Sequence, residues 1–191
     1  YTDLFHMYPV DGWVNNKRGE LPYGEVGSVD WTSQNGSKTG SSATVGYNGT
    51  VFEPIDAYKG DLARGYFYMM TCYMPLVSGW SSPMFSGGDL TTWAENQLVL
   101  WSDADPVSQK EIDRNNAIYG IQANRNPYID HPEWVQSACL GCLGDRVAWS
   151  LLRVTMLKPS PNPERRRLSA HPTALRYQTS TPTDQKKAGR P

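Results

Sequence analysis

The first eighteen residues hold the densest polar cluster in the chain: Asp3, His6, Asp11, Asn15, Asn16, Lys17 and Arg18. Asn15 follows Asp11 by four residues, a spacing that puts both side chains on one face of a helix. An oxygen-rich face beside a strand can hold a hard divalent cation, and magnesium prefers octahedral oxygen coordination while keeping several waters. Lys17 and Arg18 would then stand where a phosphate meets positive charge. A capped surface helix with solvated charges accounts for the same residues, and on residue types alone that plainer account is preferred. Other chemistries have little to build on. The chain contains no GxGxxG, Walker, GxSxG or HExxH pattern, and its histidines are His6, His131 and His171.

The elements that must carry this cluster can be read in order. Asp3–Tyr8 reads as a short strand ending at Pro9, and residues 11–18 as a short helix with Asp11 as its N-cap. Residues 20–53 are rich in Gly, Ser and Thr and include Asn35-Gly36 and Asn48-Gly49, strong hairpin signals, so two or three short strands or long loops are expected. From Asp56 the period becomes helical. Leu62, Tyr66, Met69, Met70 and Tyr73 predict one apolar face of a helix over roughly 57–74, ended by Pro75. A second helix is expected over 89–102. A third should start at Ser108, with Glu111 completing a capping box, and run to about Gln122. Asp130 through Trp134 reads as a further cap and short helix with Pro near its start. This is an α+β chain with a hairpin region and three to four helices.

Composition sets outer bounds. The 191 residues suffice for one domain with a sizeable core. Seven Trp and eleven Tyr are more often core packing than stacking surfaces. No run approaches the ~18 apolar residues of a membrane span, so no membrane partner is expected, and no protein partner is implied. The net charge of −1 hides an asymmetry. Residues 1–135 hold 8 Lys+Arg against 16 Asp+Glu, whereas residues 159–191 hold 7 against 2. An acidic body argues against a broad nucleic-acid footprint and leaves room only for a local basic cleft. Residues 1–135 read as the folded domain and 136–158 as an ambiguous extension, with 147–157 apolar enough for a short helix or strand. Residues 159–191, with Arg165-Arg166-Arg167 and scattered prolines, read as a disordered basic tail, either an arm for an anionic partner or a non-native end. Cys139 and Cys142 form a CxxC without a second pair, a weak zinc signal, and with Cys72 they read as ordinary thiols. Tyr1 opens on what reads as mid-strand, as in a processed chain or a fragment.

Three ordered segments carry a specific resemblance. The first is Asp3-Leu4-Phe5-His6-Met7-Tyr8-Pro9-Val10-Asp11-Gly12-Trp13-Val14-Asn15-Asn16-Lys17-Arg18 followed by Pro22-Tyr23-Gly24-Glu25-Val26. The second runs from Val51-Phe52-Glu53-Pro54 to Lys59-Gly60-Asp61-Leu62-Ala63-Arg64-Gly65-Tyr66-Phe67-Tyr68-Met69. The third runs from Asp105-Pro106-Val107-Ser108 through Arg114-Asn115-Asn116-Ala117-Ile118-Tyr119 to Gln122-Ala123-Asn124-Arg125-Asn126-Pro127-Tyr128-Ile129-Asp130-His131-Pro132-Glu133. Together they cover nearly all of residues 1–135, and they resemble the endonuclease I family of the His-Me finger class.

The resemblance implies a ββα-metal core and metal-dependent, non-specific endonuclease chemistry: hydrolysis of phosphodiester bonds in DNA, and often RNA. It implies magnesium, or another divalent cation such as manganese, as cofactor, and a secreted or periplasmic location. Asn15 matches the family's helical asparagine and so carries over as a metal ligand. A neutral amide oxygen leaves the ion's charge free to act on phosphate. The family's Glu-His pair does not carry over. It belongs to an Arg-Glu-His segment some tens of residues before that asparagine, and only fourteen residues precede Asn15 here. His6 matches a different, structural position on the second strand. The resemblance thus implies an incomplete ββα-metal core with catalytic residues unknown, in an N-terminally truncated and inactive chain. Arg18, Lys17, Arg64, Arg114 and Arg125 are the candidates for phosphate contact, with Arg18 foremost because it follows the metal helix directly. For Arg64 and Arg114 an ion pair with Asp61 or Glu111 is the competing assignment. The alternative function, from another class, is a secreted non-catalytic binding module for polysaccharide or a surface partner.

Overall fold

In the computed structural model, which describes residues 3–138, Asp11 caps the first helix as its position predicts. Its Oδ1 accepts from the Trp13 and Val14 N–H groups and starts α1, Gly12–Arg18. Helix α1 stops at Gly19, whose φ of +50° suits a residue without Cβ.

The segment before α1 is not the expected strand. Leu4–His6 forms a 3-10 turn. The Asp3 carboxylate decides this: it accepts from the Phe5 N–H at 2.9 Å and, from elsewhere in the fold, from Tyr68 and Tyr73 at 2.7 Å each and from Gln122 at 3.1 Å. Arg114 ties the turn from its other side by donating to the carbonyls of Leu4 and Met7. Phe5, between these anchors, is completely buried.

The hairpin region becomes one antiparallel sheet, β1 (Val26–Thr32), β2 (Lys38–Ser42) and β3 (Thr50–Glu53), in sequential order. Asn35-Gly36 lies in the β1–β2 turn, where Gly36 takes φ +101°. Asn48-Gly49 lies in the β2–β3 connection. Two irregularities break the β1–β2 register, between Val26 and Ser28 and between Val29 and Trp31. A minimal second hairpin pairs β4 (Phe85–Ser86) with β5 (Asp89–Leu90).

The core forms around α2, Lys59–Val77. A helix with one apolar face was expected, but α2 is enclosed along most of its length. Phe67, Tyr68, Met69 and Met70 are buried, and so are Lys59, Asp61, Arg64 and Thr71 between its other turns. The polar positions are buried with partners, which a hydrophobic period cannot reveal. Pro75 does not end the helix, which continues two residues further, to Val77. Helix α3 (Thr92–Ala104) begins three residues later than expected, because β5 occupies Asp89–Leu90. It packs on α2 through Leu98 and Trp101. Helix α4 (Gln109–Gln122) starts with the expected capping box, Ser108 to the Glu111 N–H and Glu111 back to Ser108.

The expected cap at Asp130 is a misreading. Asn126 caps α5 (Pro127–Asp130), with Pro127 in its first turn, and α6 follows as Trp134–Ala138. Asn126 wins because it is also held by tertiary bonds, donating to the Arg64 carbonyl at 3.0 Å while its N–H bonds Asn115 Oδ1 at 3.0 Å. The result is the expected α+β class with three long helices and three short ones among the described residues. None of these helices is long and apolar enough to cross a membrane. Cys139, Cys142, the segment 147–157, His171 and the basic tail lie outside the described residues.

Sheet and helices are joined by an ionic knot whose centre, Lys59 with Glu53, is buried while Asp56 stays exposed. Lys59 Nζ lies 3.1 Å from Glu25, 3.0 Å from Glu53 and 2.9 Å from Asp56. Trp101 donates its indole N–H to Glu25. Burial alone would lower the Lys59 pKa, but the three carboxylates outweigh it and hold the ammonium above its ordinary range.

Candidate functional site

An open cleft of about 1080 Å³ runs beside α1. Its walls are the 3-10 turn and the loop after it (His6, Tyr8), α1 (Trp13, Asn15, Arg18), the β1–β2 turn (Trp31 to Asn35) and α2 (Leu62, Tyr66). Of the seven residues of the polar cluster singled out from sequence, four (His6, Asp11, Asn15 and Arg18) line this concave surface, while Asp3 is buried and Asn16 and Lys17 are not in its lining.

Arg18 is the most informative of these residues. Its guanidinium carbon sits 4.5 Å from the centroid of Tyr23, and its Nε is buried without a hydrogen-bond partner. Among the described residues it forms no ion pair. A half-buried guanidinium with no carboxylate beside it is costly unless an anion arrives. Its charge is felt around it. Burial pushes the Tyr23 phenol up, and Arg18 offsets part of that rise. Partial desolvation and the Arg18 charge push His6 below its ordinary value of 6.5, against a weaker pull from Asp3.

The five cations proposed from sequence separate cleanly. Lys17 stands on α1 near Trp13 and Trp31, without an ion pair among the described residues. Arg64 is not at a surface at all. Its side chain is 0% exposed; Nε and Nη2 reach the two Glu111 oxygens at 2.8 and 2.6 Å, and Nη1 reaches the Asp105 carbonyl at 2.9 Å. Arg64 does form an ion pair, but with Glu111 across on α4 and not mainly with the same-helix Asp61, which stands 3.9 Å away. Arg114 serves the 3-10 turn through the Leu4 and Met7 carbonyls and stacks 4.4 Å from the Tyr8 centroid, so its partners are neither Asp61 nor Glu111. Arg125 holds both Asp130 oxygens at 2.6 Å and Asn116 at 2.9 Å. Arg64, Arg114 and Arg125 thus hold the fold, and only Arg18 and Lys17 keep their charge available on α1.

The donor set fits a divalent cation only in part. The Asn15 side chain is exposed at the cleft, and its neutral amide oxygen suits magnesium or manganese. Asp11, four residues earlier, has one oxygen engaged in capping α1. Among the described residues no group of three or more His, Cys, Asp or Glu is arranged to hold a metal ion. Residues 1–14 contain one histidine, His6, preceded by Phe5 and not by glutamate. Asn15 thus offers an oxygen of the kind a divalent cation takes, and the carboxylate on the same helix face, Asp11, is engaged as the cap of α1.

Sequence reasoning missed two aromatic residues on this surface. Trp13 is 63% exposed and Trp31 is half-buried at the same cleft. The signal available was the placement of Trp13 four residues before Lys17, on the same helix face.

A family model described as Endonuclease I matches residues 1–133. An extracellular ribonuclease of Bacillus amyloliquefaciens is 37% identical over 141 residues, which cover 70% of this chain and 45% of that protein. The extracellular ribonuclease of Bacillus subtilis (strain 168) is 34% identical over 144 residues, with the same shares of 70% and 45%. Endonuclease-1 of Buchnera aphidicola subsp. Baizongia pistaciae is 29% identical over 128 residues, covering 67% of this chain and 46% of that protein. The chain spans about half the length of the curated relatives it matches. No solved structure matches it significantly.

Proposed function

Since the chain belongs to the endonuclease I family, we propose that its cleft binds the phosphodiester backbone of DNA and RNA for metal-dependent hydrolysis without sequence preference. The observation that carries this is Arg18: a half-buried guanidinium with no carboxylate partner among the described residues, its Nε unbonded and its charge shared with the Tyr23 and Tyr66 phenols, lining a wide cleft one turn from Asn15. A guanidinium presents paired N–H donors that match phosphate oxygens. In this reading Arg18 fixes the phosphate, Lys17 adds charge at the rim, and Asn15 supplies one oxygen to a magnesium or manganese ion on the helix of a ββα-metal arrangement. Two relatives are named ribonucleases and one an endonuclease, which supports a site tolerant of either sugar. The word extracellular in two of those names supports a secreted or periplasmic location.

No catalytic step is routed through the cation, because the donor set beside Asn15 is incomplete. His6 does not replace the missing base, since it matches the family's structural position. Without a general base a step loses roughly 10²–10⁴ in rate. The 191-residue polypeptide alone is therefore proposed to bind nucleic acid without cleaving it.

The test uses supercoiled plasmid and single-stranded RNA with the purified chain and Mg²⁺. Binding is expected without nicking, and Arg18→Ala should weaken binding about tenfold or more. Nicking at an ordinary nuclease rate, unchanged in Asn15→Ala, overturns both the inactivity and the Asn15 assignment. Binding to polysaccharide with none to nucleic acid supports the binding-module alternative and overturns the nuclease reading.

A further inference from the structure

Of the six tryptophans among the described residues, Trp13 alone is largely exposed, while Trp31, Trp80 and Trp134 are half-buried. Trp93 and Trp101 are in the core, but Trp13 is 63% exposed on α1, and Trp31 is only half-buried near the end of β1. Both line the cleft that holds Arg18 and Asn15. The Lys17 ammonium lies 5.2 Å from the Trp13 ring centroid and 5.9 Å from that of Trp31, so one cation serves both rings. Trp31 also follows one of the two register breaks of the β1–β2 pair. Such breaks re-aim the side chains next to them. Helix α1 and strand β1 thus bring two indoles to one stretch of the cleft wall, with Lys17, which forms no ion pair among the described residues, beside both rings.

We propose that Trp13, Trp31 and Lys17 form a stacking platform for unpaired bases, with Lys17 meeting a neighbouring phosphate, so that this domain prefers single-stranded nucleic acid to duplex. The inference rests on the nucleic-acid reading of the cleft. Its physical basis is that every base has a π-face, which an exposed indole can cover whatever the sequence. In a duplex those faces are already stacked on neighbouring base pairs. Charge alone would not separate the two, because both carry phosphates. The platform therefore adds a strand-state preference to a site that otherwise reads only backbone.

The experiment measures binding by the full 191-residue chain at one fixed salt concentration. The probes are a fluorescein-labelled thymidine oligonucleotide, an abasic oligonucleotide of the same length, and a duplex. Stacking is expected to make the thymidine strand bind roughly tenfold more tightly than the abasic strand, and more tightly than the duplex. Trp13→Ala should remove most of that difference, Trp13→Phe should restore part of it, and Lys17→Gln should weaken both single strands alike. Equal affinity for the thymidine and abasic strands, unchanged by Trp13→Ala but reduced by Arg18→Ala, overturns the platform and leaves the phosphate reading standing. Binding to none of the three probes overturns both.

Discussion

Replacing Arg64 by Met should unfold the protein more readily without touching its ligand-binding surface. The guanidinium is fully buried, and so is its partner Glu111, at 2% exposure. Two charge-assisted bonds at 2.8 and 2.6 Å join them, and a third bond reaches the Asp105 carbonyl at 2.9 Å. In Arg64→Met the Glu111 carboxylate stays buried, with the Ser108 N–H at 3.1 Å still donating to it. Breaking a buried pair by deleting one partner costs about 3–5 kcal/mol. That is a large share of the roughly 5–15 kcal/mol that holds a domain of this kind. The assay is urea unfolding followed by tryptophan fluorescence, with the midpoint falling and the slope unchanged. The double variant Arg64→Met/Glu111→Leu should recover much of the loss, because it removes the stranded charge as well. An Arg64→Met protein within about 1 kcal/mol of the parent, yet weakened in nucleic-acid binding, would refute the reasoning and return Arg64 to the site.

Two further outcomes follow from the same geometry. Burial pushes the Asp3 carboxyl up, but bonds from Tyr73, Tyr68, the Phe5 N–H and Gln122 outweigh it and hold it below its ordinary 3.8. Because the folded-state value is depressed, the stabilisation is fully present above the ordinary value and is lost as pH falls through the lower folded value. Asp3→Asn should therefore cost about 2 kcal/mol at neutral pH, with the gap to the parent closing in acid. Thermal denaturation against pH checks this, and a gap that does not narrow at all as the pH falls below 3.8 contradicts it. Ser108→Ala, which deletes half of the α4 capping box, should cost about 1 kcal/mol in urea unfolding with nucleic-acid affinity unchanged.

Local chemistry was legible in the sequence, and tertiary chemistry was not. Asp11 and Ser108 announce α1 and α4 because a cap needs only the next three residues. Asn35-Gly36 announces its hairpin for the same reason. Asp3–Tyr8 reads as a short strand running up to Pro9, and its 3-10 turn depends on donors from residues 68, 73 and 122, which no local pattern contains. Helix α2 hid its enclosure because Arg64 and Asp61 read as surface charge until their partners are placed. Asp130 resembled a cap, but Asn126 had the tertiary bonds. Asn15 and Arg18 could be found from type and spacing. Separating Arg18 from Arg64, Arg114 and Arg125 could not, since all are arginines and differ only in what folds against them. The exposure of Trp13 was hidden in the same way, because an indole on a helix ordinarily faces inward.

The double anchoring of the 3-10 turn bears on how the cleft behaves when something enters it. Asp3 holds one end to α2 and α4, and Arg114 holds the other to α4. A wall fastened in this way cannot open by itself; it opens with the core, in the same cooperative unit as Phe5, Tyr68 and Ile118. Very little conformational freedom is left there for a ligand to freeze, so the entropic cost of association falls on the incoming strand and on the long side chain of Lys17. For the strand proposed to bind here, this wall is a fixed face, whereas α1, which buries none of its residues, is the freer one.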